Sequence, residues 1–243
     1  MAAAPRKVKA VVSYIKQFEE NITYYTLHTE LNCRFKPGQF LHLALDPYDA
    51  SYNWPESRAF SIANAPNSDK IIEILISPKG KFTNRMIREL RIGSEIWIKL
   101  PYGTLNFDAV ANKNVVLVAG GTGISPFLSF LRYLLQNEIC HNEITVYYGV
   151  RNPNLIIFNE LLKEFTQKIK GFTYEIYCEN DLQEELLSIH PGILPVTDIA
   201  RKISTKGDTL YYLSGPKIMI ETFKEELVKA GIPGNQVLYD KWE

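Results

Sequence analysis

The sequence predicts two domains in tandem: an antiparallel β-barrel or sandwich, then an α/β doubly wound parallel sheet. Three observations carry this prediction. Up to about residue 108 the chain runs in short β-rich segments separated by turn signals, and from residue 114 apolar strands alternate with amphipathic helices. The change of pattern falls in "DAVANKNV", a stretch that reads as a linker, so the expected division is 1–108 and 109–243.

In the first half the strands are read in order from "VKAVVSYIKQF", "TYYTLHTE", "QFLHLAL", "RAFSIAN", "KIIEILIS" and "EIWIKL". Turn signals such as "FKPGQ", "NAPNSD" and "RIGSE" separate them, as the glycine and proline chemistry of turns requires. One helix is expected in "KFTNRMIREL", where Phe82, Met86 and Leu90 recur at intervals of four. In the second half "NVVLVAG", "EITVYYG", "FTYEIYC", "TLYYLSG" and "QVLYDKW" read as strands, and "PFLSFLRYLLQ" and "PKIMIETFKEELVKAG" as the clearest helices. Such alternation calls for a parallel sheet covered on both faces. Phe127, Leu128, Leu131, Leu134 and Leu135 set the apolar face of the first of these helices, and Ile218, Met219 and Phe223 that of the second.

Lys+Arg and Asp+Glu are both 27, so the chain carries no broad charge for nucleic acid or an anionic membrane. Cys33, Cys140 and Cys178 are far apart and odd in number, which argues against a metal centre or a disulfide framework. No segment approaches the roughly 18 uninterrupted apolar residues of a membrane span. These features suit a soluble protein of a reducing compartment, the cytoplasm.

Two kinds of motif carry chemistry. In "RAFSIANAP" period-two alternation is expected to bring the arginine, the aromatic and the hydroxyl of Arg58, Phe60 and Ser61 to one strand face, suited to a flat, phosphorylated object. In "VAGGTGISP" Gly120, Gly121 and Gly123 allow a sharp strand-to-helix turn whose N–H groups and helix N-terminus favour an anion such as a diphosphate. The same glycines would also serve a merely tight connection. "LYYLSGPKIM" repeats the grammar of strand, small residues and proline at a helix start. Loops after the first and fourth strands of this half are expected to flank one crevice.

These markers, together with "FKPGQF", "GKFTNRM", "LPYG" and a C-terminal aromatic, occur in an order that resembles the ferredoxin–NADP reductase superfamily. The resemblance implies a flavin-binding β-barrel followed by a nicotinamide-nucleotide domain. By that similarity Arg58 pairs with flavin phosphate, Phe60, in the segment Arg58-Ala59-Phe60-Ser61, stacks on the ring, and Ser61 bonds near its reactive nitrogen. Ile76 and Ser77 lie along the flavin. Gly80, Lys81, Phe82 and Thr83 form a second phosphate loop, which favours FAD. Gly120, Gly121, Thr122, Gly123 and Pro126, with Ser214, Gly215, Pro216 and Met219, hold the nicotinamide nucleotide. Two departures stand out: Phe60 where the family often has Tyr, and Ser214 where it often has Cys.

The reaction implied is hydride transfer from NADH or NADPH to bound FAD, catalysed with Ser61, Ser214 and Trp242 at the reacting rings. Electrons then pass to a separate acceptor protein, a ferredoxin or an oxygenase component. Reduction of free flavin and a non-catalytic regulatory role are the alternatives. In "CENDLQEE", Glu179 or Asp181 can accept from ribose hydroxyls and would repel a 2′-phosphate, which favours NADH, whereas Arg151 could meet such a phosphate. Trp242 is expected to return to the flavin. His28, His42, His141 and His190 are expected to be structural or surface residues, and the aromatic, acidic "LDPYDASYNWPES" is either a docking surface or a barrel connection.

Overall fold

A computed structural model of the chain describes residues 4–137, 142–180, 188–203 and 208–239. The first half contains β1 (Arg6–Gln17), β2 (Thr23–Thr29), β3 (Phe40–Ala44), β4 (Ser57–Ser61), β5 (Ile71–Ile76), α1 (Lys81–Glu89) and β6 (Glu95–Tyr102). The second contains β7 (Asn114–Gly120), α2 (Ser125–Gln136), β8 (Ile144–Val150), α3 (Asn159–Lys168), β9 (Phe172–Cys178) and β10 (Ile189–Pro191). It continues with α4 (Val196–Ile203), β11 (Thr209–Ser214), α5 (Lys217–Lys229) and β12 (Val237–Tyr239). The chain separates into two compact units, the first running through Phe107 and taking in Ser125–Tyr133 of α2, the second holding most of the remainder.

The first unit is an antiparallel six-stranded sheet in the order β4-β3-β6-β1-β2-β5. An isolated bridge between Ile62 and Ile74 joins its two edges and curls it into a barrel. Strict alternation fills the interior: Val8, Ala10, Val12, Leu41, Leu43, Ile72, Ile74, Ile96 and Ile98 all point inward, and α1 closes one end with Phe82 and Met86. Toward Ser57 from that bridge, no ladder is described between β4 and β5, so the barrel has an open seam there.

Ser125–Tyr133 are fastened within the same unit. Arg132 donates to the Glu73 carboxylate at 2.7 Å and to the Ala63 carbonyl at 3.0 Å, and the Tyr24 hydroxyl donates to the same carboxylate. Burial, with Glu73 adding to it, raises the Tyr24 pKa well above the ordinary tyrosine value despite the opposing Arg132 charge. The Ser129 hydroxyl donates to the Asn64 carbonyl at 2.7 Å, and the rings of Phe107 and Phe130 stack 3.9 Å apart.

The second unit is an all-parallel six-stranded sheet in the order β10-β9-β8-β7-β11-β12. The chain leaves β7 toward β8, β9 and β10, then returns to the other side of β7 as β11. The strand order therefore reverses between β7 and β11, where an open α/β sheet leaves a crevice at its carboxyl edge. The predicted fold class is the one observed. Three details differ. The sequence pattern does not show β10, which makes β11 the fifth strand of this half; Ile218, expected on the apolar side of α5, is 76 % exposed, the core side being Ile220, Phe223 and Leu227; and Leu135, expected on the apolar face of α2, is exposed. No helix among the described residues is long and apolar enough to cross a membrane.

Candidate functional site

In the barrel, the pairing register decides which side chains share a face, because directly opposed residues point the same way. Phe60 opposes Leu41 and Arg58 opposes Leu43, so both lie on the core side of β4 along the open seam. Ser61 opposes Phe40 and therefore points to the outer wall. The expectation that arginine, aromatic and hydroxyl share one face is thus corrected: residues 58 and 60 alternate, whereas residue 61 is one step out of phase. Ala59 shares the outer face with Ser61.

Phe60 is partly buried against the barrel core. The Arg58 guanidinium sits 5.3 Å from the Phe82 ring centroid, in the first turn of α1, so the guanidinium and the positive end of that helix converge. Arg58 donates to the Ser57 carbonyl at 2.9 Å and to the Glu56 carboxylate at 2.8 Å. An anion is already seated where the sequence asks for one. Ile76 ends β5 buried in the core, Ser77 follows half-buried, and Lys81 is exposed at the start of α1.

Gly80 precedes α1 with extended backbone, and a Cβ built there meets nothing within 4 Å. Thr83 was expected to offer its hydroxyl to a diphosphate. Instead, its Oγ1 accepts from the N–H groups of Lys79 and Gly80, at 3.0 and 3.1 Å, and lies 3.2 Å from the Gly80 carbonyl to which it can donate. It fixes the shape of the turn and leaves the open space beside Gly80. Arg85 grips Asp46 with two bonds of 3.0 and 2.6 Å, tying α1 to the loop after β3 and holding that carboxyl below the usual carboxylate range.

That loop, "LDPYDASYNWPES", uses its acids locally: Asp46 on Arg85, Asp49 on the Ser51 N–H at 2.8 Å, Glu56 on Arg58. Tyr48 and Trp54 pack on each other, Tyr48 also on Trp97, and the Lys7 ammonium lies 4.2 Å from the centre of the Tyr48 ring. Only Tyr52 among its aromatics is largely exposed, at 76 %. His42 is packed edge-on to Tyr102 on the outer wall, and burial with the nearby Lys99 lowers its pKa. This aromatic wall went unread in the sequence.

In the parallel-sheet unit two loops meet at the reversal point. A Cβ on Gly120 would fall 2.8 Å from Met219 Sδ and 2.8 Å from Pro216 Cδ; one on Gly123 would fall 2.4 Å from the Ser214 carbonyl oxygen; one on Gly215 would fall 2.9 Å from the Gly120 nitrogen. These three glycines interlock one loop with the other, so packing alone demands them. Gly121 differs: its φ of +54° requires a left-handed conformation, and nothing lies within 4 Å of its Cβ position. It opens onto space at the carboxyl edge, beside Thr122. Pro126 is buried, and Ser214 is buried at 2 % exposure as the last residue of β11.

Along the same edge Arg151 and Glu179 are exposed. The Glu179 N–H donates to the Val150 carbonyl at 3.0 Å and the Asn180 N–H to the Arg151 carbonyl at 2.8 Å, which joins the ends of β8 and β9. Asp181, His141, Cys140 and Trp242 lie outside the described residues. Cys33 is half-buried and Cys178 buried, and no disulfide or cluster of metal-ligating side chains occurs among the described residues. His190 packs against the Tyr177 ring at 5.1 Å, and His28 is an exposed residue of β2.

Residues 9–107 match the oxidoreductase FAD-binding domain family, and residues 117–225 match the oxidoreductase NAD-binding domain family. The reductase component of propane 2-monooxygenase from Rhodococcus jostii is 29 % identical over 216 residues, covering 86 % of this chain and 55 % of that protein. The chain thus spans a little over half the length of that relative. Among solved structures, the ferredoxin reductase in carbazole 1,9a-dioxygenase superposes with a TM-score of 0.81 at 20 % identity, over 100 % of this chain and 71 % of the other. A ferredoxin NADP+ reductase from Neisseria gonorrhoeae with bound FAD and NADP gives 0.77 at 20 % identity, over 98 % and 99 %.

Proposed function

We propose that the chain, which carries an oxidoreductase FAD-binding domain followed by an oxidoreductase NAD-binding domain, is an NAD(P)H-dependent flavoprotein reductase of the ferredoxin–NADP reductase superfamily. In this reading residues 1–108 hold FAD, residues 109–243 bind NADH or NADPH, and electrons leave for a separate acceptor protein. A component of an oxygenase system is the favoured acceptor, by likeness to the propane 2-monooxygenase reductase component. The observation that carries the reading is the ordered pair of family matches, an FAD-binding domain followed by an NAD-binding domain.

FAD, when bound, supplies the chemistry that turns a two-electron hydride donor into a source of single electrons. The residues of the chain supply charge, shape and position. Arg58 and the N-terminus of α1 present two positive groups to a phosphate, a pairing that suits guanidinium geometry. Phe60 offers a partly exposed ring at the seam for a flat heterocycle, Ile76 and Ser77 line the end of β5, and the bare Gly80 leaves room for a diphosphate. Ser61 contributes from the strand end, through backbone or hydroxyl, on the outer side. In the second unit the amide of Gly121, with Thr122, cradles the nucleotide phosphates. Ser214, Gly215, Pro216 and Met219 shape the nicotinamide end, Glu179 accepts from the adenosine ribose hydroxyls, and Arg151 meets the 2′-phosphate when NADPH is the donor.

A second reading, reduction of flavin taken as a diffusible substrate, draws on the carboxylate already paired with Arg58. Anaerobic addition of NADH to the purified full chain, followed by visible spectroscopy, separates the two. Flavin that co-purifies and bleaches supports the resident-cofactor reading; colourless protein that reduces added flavin supports the second; absence of flavin binding and of turnover overturns both.

A further inference from the structure

We propose that Glu56 is an internal competitor for the flavin phosphate at Arg58, and so sets how tightly this chain retains its flavin. The inference deepens the proposed function and rests on Arg58 being a phosphate ligand. Glu56 accepts from the Arg58 guanidinium at 2.8 Å, two residues away on the same chain segment. The segment is held independently of that pair, because Trp54 Nε1 donates to the Ser57 hydroxyl at 3.0 Å on the outer wall. The chain segment that carries the carboxylate is thus held beside the guanidinium.

Arg58 does not depend on Glu56 for its placement. It has a second bond, to the Ser57 carbonyl at 2.9 Å, and its guanidinium lies 5.3 Å from the Phe82 ring centroid, and neither contact involves the carboxylate. The side chains of both partners are more than half exposed, so the pair adds little to folding. Its effect falls on whatever else uses the guanidinium. A phosphate arriving at Arg58 must displace the carboxylate or accept it as a like-charged neighbour, and either weakens binding. Phe60 adds nothing to offset this, since it lacks a hydroxyl that could bond to the flavin's sugar chain.

The test measures equilibrium binding of FAD, FMN and riboflavin to flavin-stripped full-length protein by flavin fluorescence, in wild type, Glu56→Gln, Arg58→Ala and the double variant. Glu56→Gln is expected to bind FAD and FMN about two- to fivefold more tightly, the range set by an exposed ion pair, while riboflavin, which has no phosphate, binds unchanged. The gain shrinks as ionic strength rises and disappears in the Arg58→Ala background. Unchanged FAD and FMN affinity in Glu56→Gln overturns the proposal, as does an equal gain for riboflavin. If Arg58→Ala binds FAD as well as wild type does, the phosphate-ligand reading itself fails, which is a separate result from failure of Glu56 alone.

Discussion

The turn before α1 carries one glycine and the paired loops at the carboxyl edge of the parallel sheet carry several, all at a helix start, yet these glycines exist for different reasons. At Gly80 the backbone is extended and the surroundings are empty. At Gly120, Gly123 and Gly215 the surroundings are so close that a methyl group would strike a neighbouring loop. A glycine motif can therefore record chain packing as readily as it records a ligand. The residue that separates the two cases within the second unit is Gly121, which is left-handed and unpacked.

The largest expected effect is on the packed side of that comparison. Gly123→Ala drives a Cβ to 2.4 Å from a backbone oxygen that cannot rotate away, and should cost about 3 kcal/mol, the upper end for overpacking. A melting temperature within a degree of wild type would show that the loops separate easily. Next, Arg132→Met removes the cation beside Glu73 and Tyr24; with both members of the ion pair about a quarter exposed, a loss of about 2 kcal/mol in urea unfolding is expected. Equal midpoints for mutant and wild type would make the pair ornamental.

On the open side the effects should appear in ligand binding. Arg58→Ala should lose about 1.5 kcal/mol of flavin affinity, roughly tenfold, and Lys81→Ala much less. Equal flavin content in the two purified variants would remove the distinction between them. NADH should be preferred to NADPH, and Glu179→Gln should narrow that preference by relieving repulsion of the 2′-phosphate; comparable specificity constants in the parent would end the argument. The smallest effect on folding is expected for Gly80→Ala, within about 0.5 kcal/mol, accompanied by a measurable fall in FAD content. If stability falls as it does at Gly123, the openness at Gly80 has been misjudged.

The fold was legible because long strands and helices announce their period. "NVVLVAG" and "FTYEIYC" are strands in their entirety, and Lys81–Glu89 follows the spacing of Phe82, Met86 and Leu90. β10 escaped because three residues, Ile189–Pro191, are too few to show alternation and end in proline. In the candidate site, Arg58, Phe60 and Gly80 could be named from motif and resemblance. The outward face of Ser61 follows from counting by twos and was missed by grouping neighbours. The capping role of Thr83 and the interlocking glycines depend on local three-dimensional shape. The Arg132–Glu73 contact bridges 59 positions, and no local pattern signals such a meeting.

The placement of Ser125–Tyr133 with the barrel bears on how this chain can be divided. A fragment ending at residue 108 would leave Phe107 without the Phe130 ring that stacks on it, and would strip Glu73 of its arginine. The complementary fragment would carry those same groups on a helix with nothing to receive them. Gene fusions or chimaeras that exchange the halves as cassettes would therefore break a folded unit, unless the helix is recoded to match the barrel it joins.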